Sequence, residues 1–295
     1  MKATVTGSLG NISRVLIERL VASGHEIKVI SSDSGKAKEI EKLGAVSLTG
    51  SLTDAEFVSR SFEDADAVYT MVPPDFSVPD YYEFADQIHQ NYVRAIEQHN
   101  IRYAVNLSSI GVAVAGIAPL SRYYNLEQRL NGIPGLNVVH LRPAMFYTNF
   151  YGGLGPAKHQ GIIGHNVGGM VDLLMTHPAD IADAAFTFLH SLSFSGQQIE
   201  YVISDIRNGN GIAEMLGSAI DKPLNWVEFP DDALLAGLLQ NGFSQDAAEN
   251  LIVNAGKAIR EGLFDEFKKD QYGVSGSRKF PGFAKEFAMA YQFAG

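Results

Sequence analysis

A doubly wound, parallel α/β sheet of strand order 3-2-1-4-5-6 is the fold predicted by this sequence, and three observations predict it. The chain opens on a short apolar strand that breaks at Gly7 and Gly10 into a helical pattern. Strand and helix patterns then alternate without interruption as far as Pro143, six strands in all. One of those strands, Ala67 to Val72 (AVYTMV), is almost continuously apolar, as a strand covered on both faces must be. The 46% of hydrophobic residues among 295 is enough to bury a large core. The boundary falls at 143: residues 1–143 form the Rossmann-type domain, and 144–295 a smaller mixed α/β lobe packed on it.

The first unit runs from Ala3–Val5 through the turn to Ile12, Val15, Leu16 and Leu20, which recur at helical spacing until Gly24 stops them. Glu26 to Ser31 (EIKVIS) is the second strand. A helix through Leu43, a strand at Ala45 to Thr49 and a capped start at Thr53-Asp54 follow. After the fourth strand comes PPDFSVPDYY, a proline- and aromatic-rich loop that reads equally as a lid or as a rigid connection. Tyr82 to His99 is a long helix, Arg102 to Ser108 the fifth strand, Pro119 to Asn131 a helix and Asn137 to Leu141 the sixth strand, ended by Arg142-Pro143. Beyond it the alternation loosens into glycine-rich stretches, a helix at Ala179 to His190, a passage from Gln198 to Phe229, and helices through Gly262.

Composition excludes several function classes. With 23 basic and 33 acidic residues the net charge is -10, which disfavours nucleic acid as a partner. Zero cysteines removes disulfides, thiolate metal sites and a cysteine nucleophile. His159, His165 and His177 lack the i, i+4 pairing of a helical metal motif, so no metal is expected. No apolar run reaches the roughly 18 residues that span a bilayer, and strand-like residues begin directly after Met1. The expectation is a cytoplasmic protein without a membrane partner, a monomer or a homodimer.

The opening stretch carries the chemistry. Gly7 turns where a Cβ would clash, and Gly10 lets a phosphate approach the main chain. The free N–H groups of the following helix, with its dipole, favour an anion in that gap. Gly7, Gly10 and Ser13 are spaced G-x-x-G-x-x-S, the site logic of a dinucleotide-binding βαβ unit. An acid gripping the ribose 2′-hydroxyl of NAD is absent from Ser31 and Ser32, and the turn Asp33-Ser34-Gly35 is followed by Lys36. Lys36 and the hydroxyls suit the 2′-phosphate of NADP while Asp33 argues for NAD; the balance favours NADP, with NAD possible.

TGSLGNIS at the start, LSSIG after the fifth strand, NLEQRLNGIPGLNVVHLRPAMFYTN around the sixth, HPADIADAA and NGFSQDAAENLIVNAGKAIREG together resemble the NmrA-like branch of the atypical short-chain dehydrogenase/reductase superfamily. Within it they are most similar to the NAD(P)H:quinone oxidoreductase-type members. The resemblance implies that Thr6, Gly7, Ser8, Leu9, Gly10, Asn11 and Ile12 hold the pyrophosphate and that Ser32 and Lys36 lie near the adenosine ribose. It further implies that Val72 and Pro73 flank the cofactor and that Ser108, Pro143 and Phe146 lie near the nicotinamide. Two positions depart from the pattern. Ser32 stands where relatives often carry an arginine, and Tyr124 where many carry a lysine three residues before the glutamate matching Glu127.

In the wider superfamily a tyrosine is followed four residues later by a lysine that lowers its pKa. Here Tyr123 is followed by Glu127 and Tyr124 by Gln128, and a carboxylate one turn away raises a phenol's pKa. Hydride transfer to a quinone demands less, because the protein has mainly to position two flat rings. Phe76, Tyr81, Phe146, Tyr147 and Phe150 are candidates for such a slot, and Tyr124 and Asn149 are the polar candidates to orient a carbonyl. The substrate expected is a small, flat, apolar molecule. The competing reading is a non-catalytic redox-sensing regulator of the NmrA type; an extended-type sugar-nucleotide epimerase is a weaker third.

Overall fold

The computed structural model describes residues 1–114, 121–269 and 272–293. The predicted helix start at Pro119-Leu120 therefore lies outside the described residues. The first half runs β1 (Lys2–Val5), α1 (Ser13–Ala22), β2 (Glu26–Ser31), α2 (Ala37–Lys42), β3 (Val46–Thr49), α3 (Ala55–Phe62), β4 (Ala67–Thr70), α4 (Tyr81–Gln98), β5 (Tyr103–Leu107), α5 (Ser121–Asn131) and β6 (Asn137–Pro143). Helix starts follow from local chemistry. Asp54 accepts from the amides of Glu56 and Phe57, and Asp80 from that of Glu83, so α3 and α4 begin where a carboxylate satisfies their first donors.

The second half continues with β7 (Met145–Phe146), α6 (Leu154–Gln160), β8 (Ile162–His165), β9 (Asp172–Thr176), α7 (Pro178–Ser191), β10 (Gln197–Val202), β11 (Asp205–Asn208), α8 (Gly209–Ala219), β12 (Asn225–Glu228) and α9 (Asp231–Gln240). A short helix α10 (Gln245–Ala247), a π turn at Ala248–Val253, α11 (Asn254–Arg260) and α12 (Phe280–Phe293) end it.

Six strands take the predicted order 3-2-1-4-5-6, and a seventh, β10, extends the sheet beyond β6. All pairings within it are parallel, with Val5 opposite both Val29 and Tyr69, and Pro143 opposite Val202. The passage from Gln198, read from the sequence as part of the second lobe, thus returns to the first sheet. Helix α7 returns with it and packs on α1, where the Arg19 guanidinium lies 4.0 Å from the Phe186 ring centre and pairs with Asp183.

Among the described residues, apolar side chains gather in four clusters. One lies on the face of the sheet under α1 and α7, and joins Leu16, Ile17 and Leu20 to Ile181, Ala185 and Leu189. A second, on the opposite face, lies under α3, α4 and α5. The third builds the small lobe around Tyr147, Phe280, Phe283 and Phe287. The fourth collects Ile110, Ala144, Ala258, Phe264 and Phe267 at the carboxyl ends of β5 and β6.

Candidate functional site

In an open parallel sheet the crevice lies outside the carboxyl ends of the strands, where the winding reverses. Here that point is between β1 and β4, the neighbours from which the strand order runs in opposite directions. The glycine turn sits there. Gly7 and Ser8 are consecutive left-handed residues, with φ of 89° and 52°. An alanine at Gly7 would put its Cβ 2.7 Å from Ser13 Oγ and 2.8 Å from the Met71 sulfur, so only glycine fits. A left-handed serine is strained, and such strain gathers at ligand sites.

Helix α1, like α2, starts without a side-chain cap. Its N-cap, Ile12, supplies no side-chain hydrogen bond, and its first turn holds no acid. By contrast α3, α4, α7 and α8 are capped by Asp54, Asp80, His177 and Asn208. Among the described residues, the amides of Leu9, Asn11 and Ile12 donate to no protein acceptor, while those of Ser8 and Gly10 are used by Ile30 O and Gly7 O. Gly10 and Asn11 are exposed, so these donors open outward. Orphan helix donors need an acceptor, and the dipole makes a negative one favourable. A diphosphate fits this donor set.

The flanking residues are distributed unevenly. Thr6 is fully buried; its Oγ1 accepts from the Met71 amide at 2.9 Å and its N–H donates to Tyr69 O at 3.1 Å, which ties β1 to β4, and its carbonyl accepts from Ser13 Oγ at 2.9 Å. Ser8 Oγ donates to Ser31 Oγ at 2.9 Å, and Asp33 Oδ1 accepts from the Gly35 amide at 2.8 Å. The Asp33 carboxylate is therefore engaged in its own turn, beside exposed Ser32 and half-buried Lys36. Val72 is buried and Pro73 half-buried at the exit of β4. Leu9, Met71 and Phe146 are partly buried and pack against the cluster under α1 and α7.

The exits of β5 and β6 hold a network that the sequence did not announce. Ser108 Oγ donates to Glu127 Oε1 at 2.5 Å, and Arg142 reaches the same carboxylate through Nε at 3.0 Å and Nη2 at 2.6 Å. Arg142 Nη1 also donates to the Tyr201 hydroxyl at 3.1 Å. Glu127 is 1% exposed, and this bidentate partner is what a buried carboxylate requires. Glu127 points into the sheet toward Arg142, and Tyr124, three residues before it on α5, is 46% exposed. Arg142 was read from the sequence only as a strand end; an arginine inside an apolar strand, with a lone glutamate on the helix before it, was the available signal.

The aromatic slot is also redrawn. Tyr81, Tyr147 and Phe150 are buried, the last two among Phe280 and Phe283 in the small lobe, because helical and turn spacing turns them inward. The Tyr147 hydroxyl donates to Arg278 O, and burial pushes its pKa up. Phe76 and Phe146 remain half-buried at the crevice. Pro143 is buried at the β6 exit, and Asn149 is exposed on a 3-10 turn, with no hydrogen bond to Tyr124 among the described residues. The loop after β4 is tied down: Phe76 stacks on Phe243 at 4.8 Å, and Phe76 O accepts from the Ser244 amide at 2.7 Å.

Residues 7–190 match the family described as NAD(P)H-binding. The chain belongs to that NAD(P)H-binding family. The matched span includes the glycine turn and every strand of the sheet except β1 and β10. An NAD(P)H azoreductase of Xenophilus azovorans is 22% identical over 97% of this chain and 98% of its own. Among solved structures, the NADPH-dependent quinone oxidoreductase of Escherichia coli complexed with NADPH superposes with a TM-score of 0.79 at 16% identity, over 96% of this chain and 99% of that one. A Citrobacter sp. triphenylmethane reductase complexed with NADP(H) gives 0.79 at 17%, over 98% and 100%. NmrA, a negative transcriptional regulator in complex with NAD, gives 0.70 at 13%, over 99% and 97%. These likenesses are of fold, and they agree with the NmrA-like resemblance carried by the motifs. Among the described residues no helix of this NAD(P)H-binding chain is long and apolar enough to cross a membrane.

Proposed function

We propose that the chain is an NAD(P)H-dependent oxidoreductase that reduces a quinone or a similar flat, conjugated acceptor, with NADPH preferred. The observation that carries this reading is the uncapped start of α1 behind two left-handed residues at the switch point, in a member of an NAD(P)H-binding family. The azoreductase relative and the reductase-like fold neighbours support the acceptor class.

When bound, the reduced dinucleotide supplies the hydride. The amides of Leu9, Asn11 and Ile12 would take its diphosphate, and Gly10 leaves the space for it. Lys36 and Ser32 would take the adenosine end, with the competing Asp33 carboxylate engaged by Gly35. At the other end Ser108, Pro143 and Phe146 form the floor. The Glu127–Arg142 pair holds the Ser108 hydroxyl in place, so Ser108 positions rather than donates. Tyr124 and Asn149, both exposed, are the groups available to orient an acceptor oxygen. The acceptor's proton then comes from water at the mouth.

The test is titration of the purified protein with NADPH and NADH by fluorescence, then steady-state oxidation with simple quinones. NADPH should bind more tightly than NADH, turnover should exceed background, and Tyr124→Phe should lower it. Tight binding with no turnover would instead favour the second reading, a redox-sensing regulator of the NmrA type. That reading draws its support from the exposed state of both polar candidates, which have no hydrogen-bond partner among the described residues.

A further inference from the structure

The segment after β12 crosses the carboxyl edge of the sheet and is fixed there at two separate places. Around the exit of β4, Ala247 is fully buried in the cluster that contains Val72 and Tyr81, and Phe243 and Leu251 pack against it. Two hydrogen bonds reinforce this anchor: Ser244 N–H to Phe76 O at 2.7 Å and Tyr81 N–H to Asp246 Oδ2 at 2.9 Å. Around the exits of β5 and β6, Ala258, Phe264 and Phe267 are buried with Ile110 and Ala144. The π turn Ala248–Val253 joins the two anchors. The chain thus spans from β4 to β6 over the edge where Ser108, Pro143 and Phe146 lie.

Helix α9, which leads into this span, is anomalous in a way that sequence pattern makes clear. Leu234, Leu235, Leu238 and Leu239 make it strongly apolar, yet none of its residues is buried. Its N-terminal end is pinned by Asp231, bidentate to Arg260 at 2.8 and 3.0 Å and bonded to Asn166 at 2.7 Å. Its C-terminal end runs directly into Phe243, whose ring is stacked on Phe76 at 4.8 Å and 13°. These half-covered leucines leave apolar area at the surface between two fixed ends.

Resting on the oxidoreductase reading, we infer that residues 231–269 are the roof of the acceptor site and that the Phe76–Phe243 stack, with the adjoining leucines of α9, selects extended polycyclic acceptors over single-ring ones. Each additional fused ring adds apolar area for this roof to cover, so its contribution grows with acceptor size. The roof residues touch no part of the glycine turn among the contacts described above, so size selection and dinucleotide binding separate.

The experiment compares kcat/KM for 9,10-phenanthrenequinone and 1,4-benzoquinone in the wild type, Phe243→Ala and Phe76→Leu, each checked for fold by circular dichroism. The wild type should prefer the three-ring quinone, and both variants should lower the ratio of the two constants by about tenfold. A ratio unchanged within twofold in both folded variants overturns the inference. A second measurement needs no turnover: hydrogen exchange across residues 243–253 with NADP+ alone and with NADP+ plus phenanthrenequinone. Slower exchange with the quinone present supports the roof, and equal exchange overturns it. Absence of turnover with either quinone in the wild type would sink the oxidoreductase reading, while the exchange result would still decide whether this segment covers a flat ligand.

Discussion

At the residue scale, buried polar groups near the floor carry pH dependence. His140 on β6 is held between Asn106 at 3.2 Å and Asn131 at 2.9 Å, and burial lowers its pKa to about 4, with Arg142 adding to the shift and Glu127 opposing it. The folded value lies below the unfolded one near 6.5. The unfolded chain therefore binds the extra proton first, and stability is lost as pH falls from about 6.5 toward 4. The loss amounts to on the order of 3 kcal/mol. Urea unfolding midpoints measured across this window should fall with acid in the wild type, and more gently in His140→Gln. Parallel curves for the two proteins would show that His140 is not the group responsible. None of this was legible in NVVHL, because a strand pattern tells which residues are inward but not which side chains across two neighbouring elements will bond.

At the scale of the element, the turn from β1 to α1 was the most legible part of the chain. Its glycines, its spacing and its place after a strand all follow from local geometry, and local geometry is what a sequence encodes most directly. What could not be read was the use of each side chain: Thr6 ties β1 to β4 instead of facing the crevice, and Ser8 takes a left-handed conformation. The tie depends on strands far apart in sequence, Val5 lying opposite Tyr69. Gly10 has no positive φ, and its nearest obstacle to a Cβ is Gly7 O at 3.2 Å. A large side chain at this exposed position should fill the phosphate gap without unfolding the protein. Gly10→Trp should keep a melting temperature within a few degrees of wild type and weaken NADPH binding by at least about a hundredfold, as the loss of a bound diphosphate's amide contacts requires. A thermal scan checks the first and calorimetric titration the second; wild-type affinity in the variant would move the cofactor elsewhere.

For the whole molecule, strand order was foreseeable from alternation and handedness, whereas the return of β10 to the sheet was not. Gln197–Val202 looks like any short strand, and only the open edge of β6 decides where it pairs. The consequence is mechanical. Ile181, Ala182, Ala185, Leu189 and Val202 from the second half share one core with Val5, Leu16 and Val139 from the first. An ionic chain reinforces the junction: Arg278 bonds Asp180 and Asp183 at 2.6 Å each, Asp183 also pairs with Arg19, and against the opposing effect of burial the Ser204 hydroxyl and Arg278 hold the carboxyl of Asp180 below its usual range. A chain cut at residue 143 would expose the β6 edge and the face of α1 that α7 covers, and should not fold. The intact protein should therefore unfold in a single transition, with calorimetric and van't Hoff enthalpies in agreement, and NADPH should raise that transition as a whole because binding at β1 stabilises one cooperative unit. Two resolved transitions, only one of them moved by NADPH, would mean that the shared core is too weak to couple the halves.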